Sequence, residues 1–116
     1  MEPDAIRDLF AALGPVRIRK MFGGQGVYLD GLMFALEAGG ELFLKADAES
    51  AGAFEKAGSA QFAYMKDGRP TAMSYWRLPD AAVDDPEEAS RWARLAVAAA
   101  RRAAAVKKTG AKRPRR

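Results

Sequence analysis

Apolar positions recur along the chain with two different periods, and the changes of period mark out its elements. Ile6, Leu9, Phe10 and Leu13 stand at i, i+3, i+4 and i+7 within residues 4–13, one stripe of an amphipathic helix that Gly14-Pro15 stops. From Val16 the period falls to two. Val16, Ile18, Lys20 and Phe22 share one side and Arg17, Arg19 and Met21 the other, until Gly23-Gly24 breaks the run, which predicts a strand ending in a kink. Residues 26–38 read as two strands, Val27 and Leu29 in the first and Leu32, Phe34 and Leu36 in the second. They fold about Asp30-Gly31, a dipeptide suited to the positive φ angles of a type I′ turn. Gly39-Gly40 offers a second such turn before the strand Glu41-Leu42-Phe43-Leu44-Lys45.

Asp47 is placed to cap a short helix, its carboxylate accepting from the free amides of the first turn, with Ala51 and Phe54 inward and Gly58 at its close. Phe62, Tyr64 and Lys66 then alternate with Ala63 and Met65. Asp67-Gly68-Arg69-Pro70 makes a polar turn, and Thr71 to Leu78 alternates again up to Pro79. A final helix has Asp85 as cap, Pro86 at its first position, Glu88 three residues past the cap, and a stripe of Trp92, Leu95, Ala96, Ala99, Ala103 and Val106. Lys107 and Lys108 suit its C-terminal dipole and Gly110 its end. The order α-β-β-β-β-α-β-β-α, with no internal repeat, predicts an α+β fold: two layers, an antiparallel sheet with helices on one face. The second face would carry Met33, Phe43, Met65 and Trp76, too apolar for comfortable exposure. These four are the candidate interaction surface, and a homodimer is the expected way of covering them.

Composition narrows the chemistry. The 116 residues suit one domain and are too few for two independent cores, and 49% hydrophobic with 29% charged is ordinary globular composition. Cysteine and histidine are both absent, which excludes disulfides, Cys/His zinc sites, cysteine nucleophiles and every Ser-His-acid arrangement. No apolar run approaches a membrane span and Met1-Glu2-Pro3-Asp4 is unlike a signal peptide, so the expectation is a soluble, cytoplasmic protein. The formal charge is +4, yet the last ten residues hold six cations (Lys107, Lys108, Lys112, Arg113, Arg115, Arg116) and no acid. Without them thirteen cations face fifteen acids, leaving −2. The reading is therefore a domain over residues 1–108 and a disordered basic tail over 109–116, the six cations being candidate nucleic-acid contacts that Arg101 and Arg102 extend.

Other groupings have plainer explanations. Gly23-Gly24-Gln25-Gly26 resembles a phosphate loop but leads into a strand, so a bend or bulge is preferred. Asp80, Asp84, Asp85, Glu87 and Glu88 are better read as helix-start charges than as a metal site, and no cofactor is implied. Tyr64, Tyr75 and Trp76 with Arg69 and Arg77 suggest a base-stacking platform, but Tyr75 and Trp76 are adjacent in a strand and point to opposite faces, so packing is preferred. No set of Asp, Glu, Lys, Tyr, Ser or Thr is grouped with an orienting partner, so no catalytic residue is assigned and the chain is read as not an enzyme.

Arg19-Lys20-Met21-Phe22-Gly23-Gly24, Tyr28-Leu29-Asp30-Gly31, Leu44-Lys45-Ala46-Asp47, Phe62-Ala63-Tyr64, Met73-Ser74-Tyr75-Trp76-Arg77-Leu78-Pro79 and Trp92-Ala93 occur in an order that resembles the TfoX/Sxy N-terminal-domain family of bacterial competence regulators. The resemblance covers about residues 4–105. It implies a two-layer domain with an antiparallel sheet, structural roles for Met21, Phe22 and Gly23 at the bend and for Tyr75 and Pro79 before the last helix, and no catalytic residue. It also implies a non-enzymatic part in regulating transcription of DNA-uptake genes by assisting a DNA-bound activator. Full-length regulators of this type carry a second, helical domain, and the form expected here is the stand-alone module. The alternative function, from a different class, is a nonspecific nucleic-acid-binding accessory protein acting through the tail.

Overall fold

Three two-residue turns organise the strands. Asp30 and Gly31 have φ of 52° and 81°, Gly39 and Gly40 60° and 85°, and Asp67 and Gly68 53° and 76°, so each turn has both central residues in the left-handed region that matches strand twist. The third is tighter than the four-residue turn expected, because Arg69 and Pro70 already belong to the following strand. The structure is a computed structural model that describes residues 1–21 and 23–110, with the side chains of Tyr64, residues 70–72 and residues 108–110 left aside.

The elements are α1 (Pro3–Leu9), β1 (Arg17–Met21), β2 (Gly24–Leu29), β3 (Leu32–Ala38), β4 (Glu41–Lys45), α2 (Ala51–Lys56), β5 (Gln61–Lys66), β6 (Arg69–Arg77) and α3 (Pro86–Gly110), with a 3-10 turn at Asp80–Ala82. This is the α+β order expected. All strand pairings are antiparallel, in a six-stranded sheet ordered β1-β2-β3-β4-β6-β5. The helix α1 is shorter than its apolar stripe, since the chain turns at Phe10, whose ring meets Phe34 edge-on at 5.4 Å.

The main core lies between one sheet face and the helices. Ile6, Phe10, Val27, Phe34, Leu44 and Phe54 are fully buried in it. The buried stripe of α3 is Ala89, Ala93, Ala96, Val97 and Ala100, and this corrects the stripe expected from the sequence, because Leu95 and Val106 are 39% and 58% exposed. Small side chains let the helix lie close on β3 and β4, so the alanines and Val97 face the core, Trp92 packs on Phe54 at 4.8 Å as part of the expected stripe, and Leu95 and Val106 are turned away.

A bulge changes the phase of β3. Val27 pairs with Ala35 but Tyr28 with Met33, which leaves Phe34 unopposed. Phe34 and Ala35 consequently both enter the main core, and Leu36, expected on the same side as Leu32 and Phe34, belongs to the other face.

Helix caps confirm one expectation and move another. Asp85 Oδ1 accepts from the amides of Glu87 at 3.1 Å and Glu88 at 3.3 Å, as its position at the start of α3 predicts. Glu88 does not reach back to it and pairs instead with Arg91 at 3.2 Å. Asp47 acts one turn ahead of α2. Its Oδ1 accepts from the Glu49 amide at 3.1 Å and the Ser50 hydroxyl at 3.3 Å, while Ser50 takes the capping position. The same carboxylate receives Arg102 of α3 through two bonds of 2.7 and 3.0 Å, tying the far part of the helix to the β4–α2 loop.

The Arg102 guanidinium holds the Asp47 carboxyl down at about 2. That is below the roughly 3.9 of an unfolded aspartate, so the contact stabilises the fold above about pH 4 and loses its effect as pH falls toward 2. The stability gap between the unmutated protein and Asp47→Asn, measured by urea unfolding, is therefore expected to be constant above about pH 5 and to close between about pH 4 and pH 2. Ala93→Leu, which overpacks the α3–sheet contact, is expected to cost about 1–3 kcal/mol, whereas Leu95→Ala costs less than about 1 kcal/mol in the same assay.

Candidate functional site

The face of the sheet turned away from the helices has its own apolar cluster. Leu36, Phe43 and Tyr75 are buried there, with Met33, Ala38, Phe62 and Met73 packed around them, and among the described residues every member comes from a strand. Phe43 and Phe62 bring their rings to 4.6 Å. Burial pushes the Tyr75 hydroxyl up to about 12, with the nearby Tyr28 adding to the rise.

Strand curvature explains how residues on an uncovered face become buried. β1 and β5 are the two sheet edges, five strand spacings or about 24 Å apart if the sheet were flat. Nevertheless Met21 of β1 and Phe62 of β5 line the same groove of about 480 Å³, together with Gly24, Leu36, Ala38 and Met73. The sheet is curled, and the uncovered face is its concave side. A second bulge, between Gln61 and Ala63, lies in the β5–β6 hairpin that forms one wall.

Two glycines permit this curvature. A Cβ at Gly24 would collide with the Glu37 carbonyl oxygen of β3. A Cβ at Gly26 would stand 2.9 Å from both the Met21 and Met33 sulfurs and 3.1 Å from the Tyr28 ring, so the two thioethers close over bare backbone. The segment Gly23-Gly24-Gln25-Gly26 is thus a bend with φ of 79° at Gly23 that enters a strand.

Cations line the face. The register places Arg19, Gly26, Leu36, Phe43 and Arg77 in one row across five strands, and Arg17 beside Tyr28 in the next. Arg19 lies 5.9 Å from the Tyr28 ring centre and Lys45 5.2 Å from that of Tyr75, both within cation–π range. Arg77 is paired with Asp80 at 2.8 Å. At one end of the groove Glu37 is buried. Burial pushes its carboxyl upward, but bonds from Gln25 at 2.9 Å, the Gly40 amide at 2.9 Å and the Met1 amine at 3.4 Å outweigh this and hold it below the usual range.

Of the four residues expected on this surface, Met33 and Phe43 belong to it. Met65 is 67% exposed near the β5–β6 turn and joins neither cluster. Trp76 lies on the helix side, stacked on Phe54 at 6.4 Å, because Tyr75 takes the outer position and its neighbour must point the other way. Among the tail cations the side chain of Lys107 is described and exposed at the end of α3. The Lys108 side chain and Lys112, Arg113, Arg115 and Arg116 lie outside the described residues, as does the expected disorder of 111–116, while the α3 backbone runs through Thr109 and Gly110. Arg101 and Arg102 are engaged with carboxylates, Arg101 with Asp30 at 3.5 Å and Arg102 with Asp47 and Glu49, which competes with the phosphate contacts expected of them. Sequence patterning missed Leu36, Phe62 and Met73 as members of the face. The alternation of Arg17, Arg19 and Met21 sets Met21 opposite the core side of β1 and so marks a second apolar face, but it does not reach Leu36, Phe62 or Met73 on the other strands.

The sequence profile of the TfoX N-terminal domain matches residues 8–100. The chain belongs to the TfoX N-terminal domain family. It is 31% identical over 74 residues to Protein Sxy of Escherichia coli (strain K12), an alignment covering 64% of this chain and 35% of that protein. The chain thus spans about a third of the curated relative's length. The matched stretch takes in the whole sheet and most of α3. No described helix is long and apolar enough to cross a membrane.

The glycines of this TfoX-type face give a direct check. Gly24→Ala is expected to lower stability by about 1–3 kcal/mol in chemical denaturation, since backbone must shift. Gly26→Ala is expected to cost less than about 1 kcal/mol, because the methionine ends can move and the unfolded chain loses entropy.

Proposed function

We propose that this domain is a non-enzymatic regulator that acts on transcription by docking a protein partner, such as a DNA-bound activator, on its uncovered sheet face. The observation that carries this reading is the concave apolar cluster built wholly from strand residues. A sheet face of this kind is water-exposed apolar surface unless something is laid on it, and surfaces of that type mark interaction sites. Membership of the TfoX family supports the regulatory side.

The chemistry of the groove also favours docking over catalysis. Of its lining residues only Glu37 bears a carboxylate, and both oxygens are taken by donors that stabilise its charged form, an arrangement that locks a turn and leaves no free base.

Overproducing the chain in a bacterial host and sequencing the transcripts tests this. A discrete set of transcripts is expected to change. The response should fall at least several-fold with Met33→Glu or with the exposed substitution Arg19→Glu, and persist with Leu95→Glu on the other layer, circular dichroism showing all three folded. Absence of any transcript response, or equal responses from all variants, would rule the reading out.

A further inference from the structure

Resting on that docking reading, we propose that the occupant of the groove is an acidic amphipathic segment of the partner protein, its apolar side chains entering between Met21 and the β5–β6 hairpin and its carboxylates meeting Arg17 and Arg19. The apolar part of the argument is shape and softness. Met21, Leu36, Phe62 and Met73 offer a groove of about 480 Å³, enough for a few side chains of a segment laid across it. Methionines adapt to the shape that fills them, a property suited to helix-in-groove recognition.

Charge selects the partner. By register Arg17 and Arg19 stand on the concave side of edge strand β1, and neither has a carboxylate partner among the described residues. Lys45 projects on the same side over Tyr75, and Arg77 ends the central row. Against them stand Glu41, which alternation with Phe43 places on this side, Asp80, which is paired with Arg77, and Glu37 in the groove, whose oxygens are taken by Met1, Gln25 and Gly40. Arg17, Arg19 and Lys45 therefore remain to meet a partner's acids, although the body without its last ten residues is −2 overall. An apolar centre with a cationic border is complementary to an apolar stripe flanked by Asp and Glu.

Two other occupants fit less well. In a face-to-face dimer, a two-fold axis running along or across the central row sets Arg19 or Arg77 against an arginine of the second copy. Single-stranded nucleic acid needs free ring faces for its bases, and Phe43 and Tyr75 are only 8% and 6% exposed.

The test uses the full chain, isotopically labelled, and three probes: a 16-residue peptide with Leu and Phe at helical i, i+3, i+4, i+7 spacing and Glu elsewhere, the same peptide with Lys for Glu, and a twelve-nucleotide oligo-dT. The acidic peptide should shift the amide resonances of Gly24, Gly26 and Leu36 and bind at least tenfold more tightly than the Lys peptide. The double substitution Arg17→Glu with Arg19→Glu should reverse that preference. Equal binding of the two peptides, no binding, shifts confined to α3, displacement by the oligonucleotide, or sedimentation as a dimer that Arg19→Glu strengthens would each overturn the proposal. A preference for the Lys peptide at the same amides, with the transcript response still lost in Met33→Glu, would overturn the acidic partner while leaving the docking function standing. Loss of both would remove the two together.

Discussion

The three helices cover one face of a sheet whose strands carry apolar side chains on both. Everything distinctive about the molecule follows from that imbalance. The covered face packs conventionally, with Phe10, Phe34 and Phe54 beneath α3. The other face reduces its exposure by curling, which brings Met21 and Phe62 from opposite edges toward one groove and buries Leu36, Phe43 and Tyr75 between them. Curling cannot close the surface completely, and the residual groove is where this TfoX-type domain has apolar area left to offer.

The two layers depend on each other through small residues. Alanines on α3 bring the helix down onto β3 and β4, and glycines on β2 allow that strand to press against Glu37 on one side and receive the thioethers of Met21 and Met33 on the other. Bulges then adjust direction. The one opposite Val27 and Tyr28 sends Phe34 and Ala35 together into the core and so decides that Leu36 lies outside. A single unpaired residue in β3 therefore sets the composition of both faces.

Electrostatics divide along the same line. On the helix side several acids are engaged: Asp85 caps α3, Glu88 holds Arg91, and Asp47 and Glu49 hold Arg102. On the concave side Arg17, Arg19 and Lys45 have aromatic neighbours or open surface in place of carboxylates. Net charge concealed this division. A body reading as mildly anionic from its composition carries Arg17, Arg19 and Lys45 on its concave face, because most of its acids stand at helix starts and turns.

Element order, the hairpin turns and the Asp85 cap were legible from residues alone, since each rests on chemistry within a few positions: positive φ at Asp-Gly and Gly-Gly, and a carboxylate three residues from the amide it receives. The existence of an apolar second face was legible too, from strands with too many large side chains for one core. Its membership was not. Leu36 left the side that simple alternation gives it, Trp76 took the core side opposite Tyr75, and Leu95 gave up its place to alanines. Strand phase depends on a bulge and on which side of β6 meets the core, and helix rotation on how closely two layers approach. Those are properties of contacts between segments distant along the chain. Only the assembled sheet determines them, and the same assembly alone brings Met21 and Phe62, forty-one positions apart, to the walls of one groove.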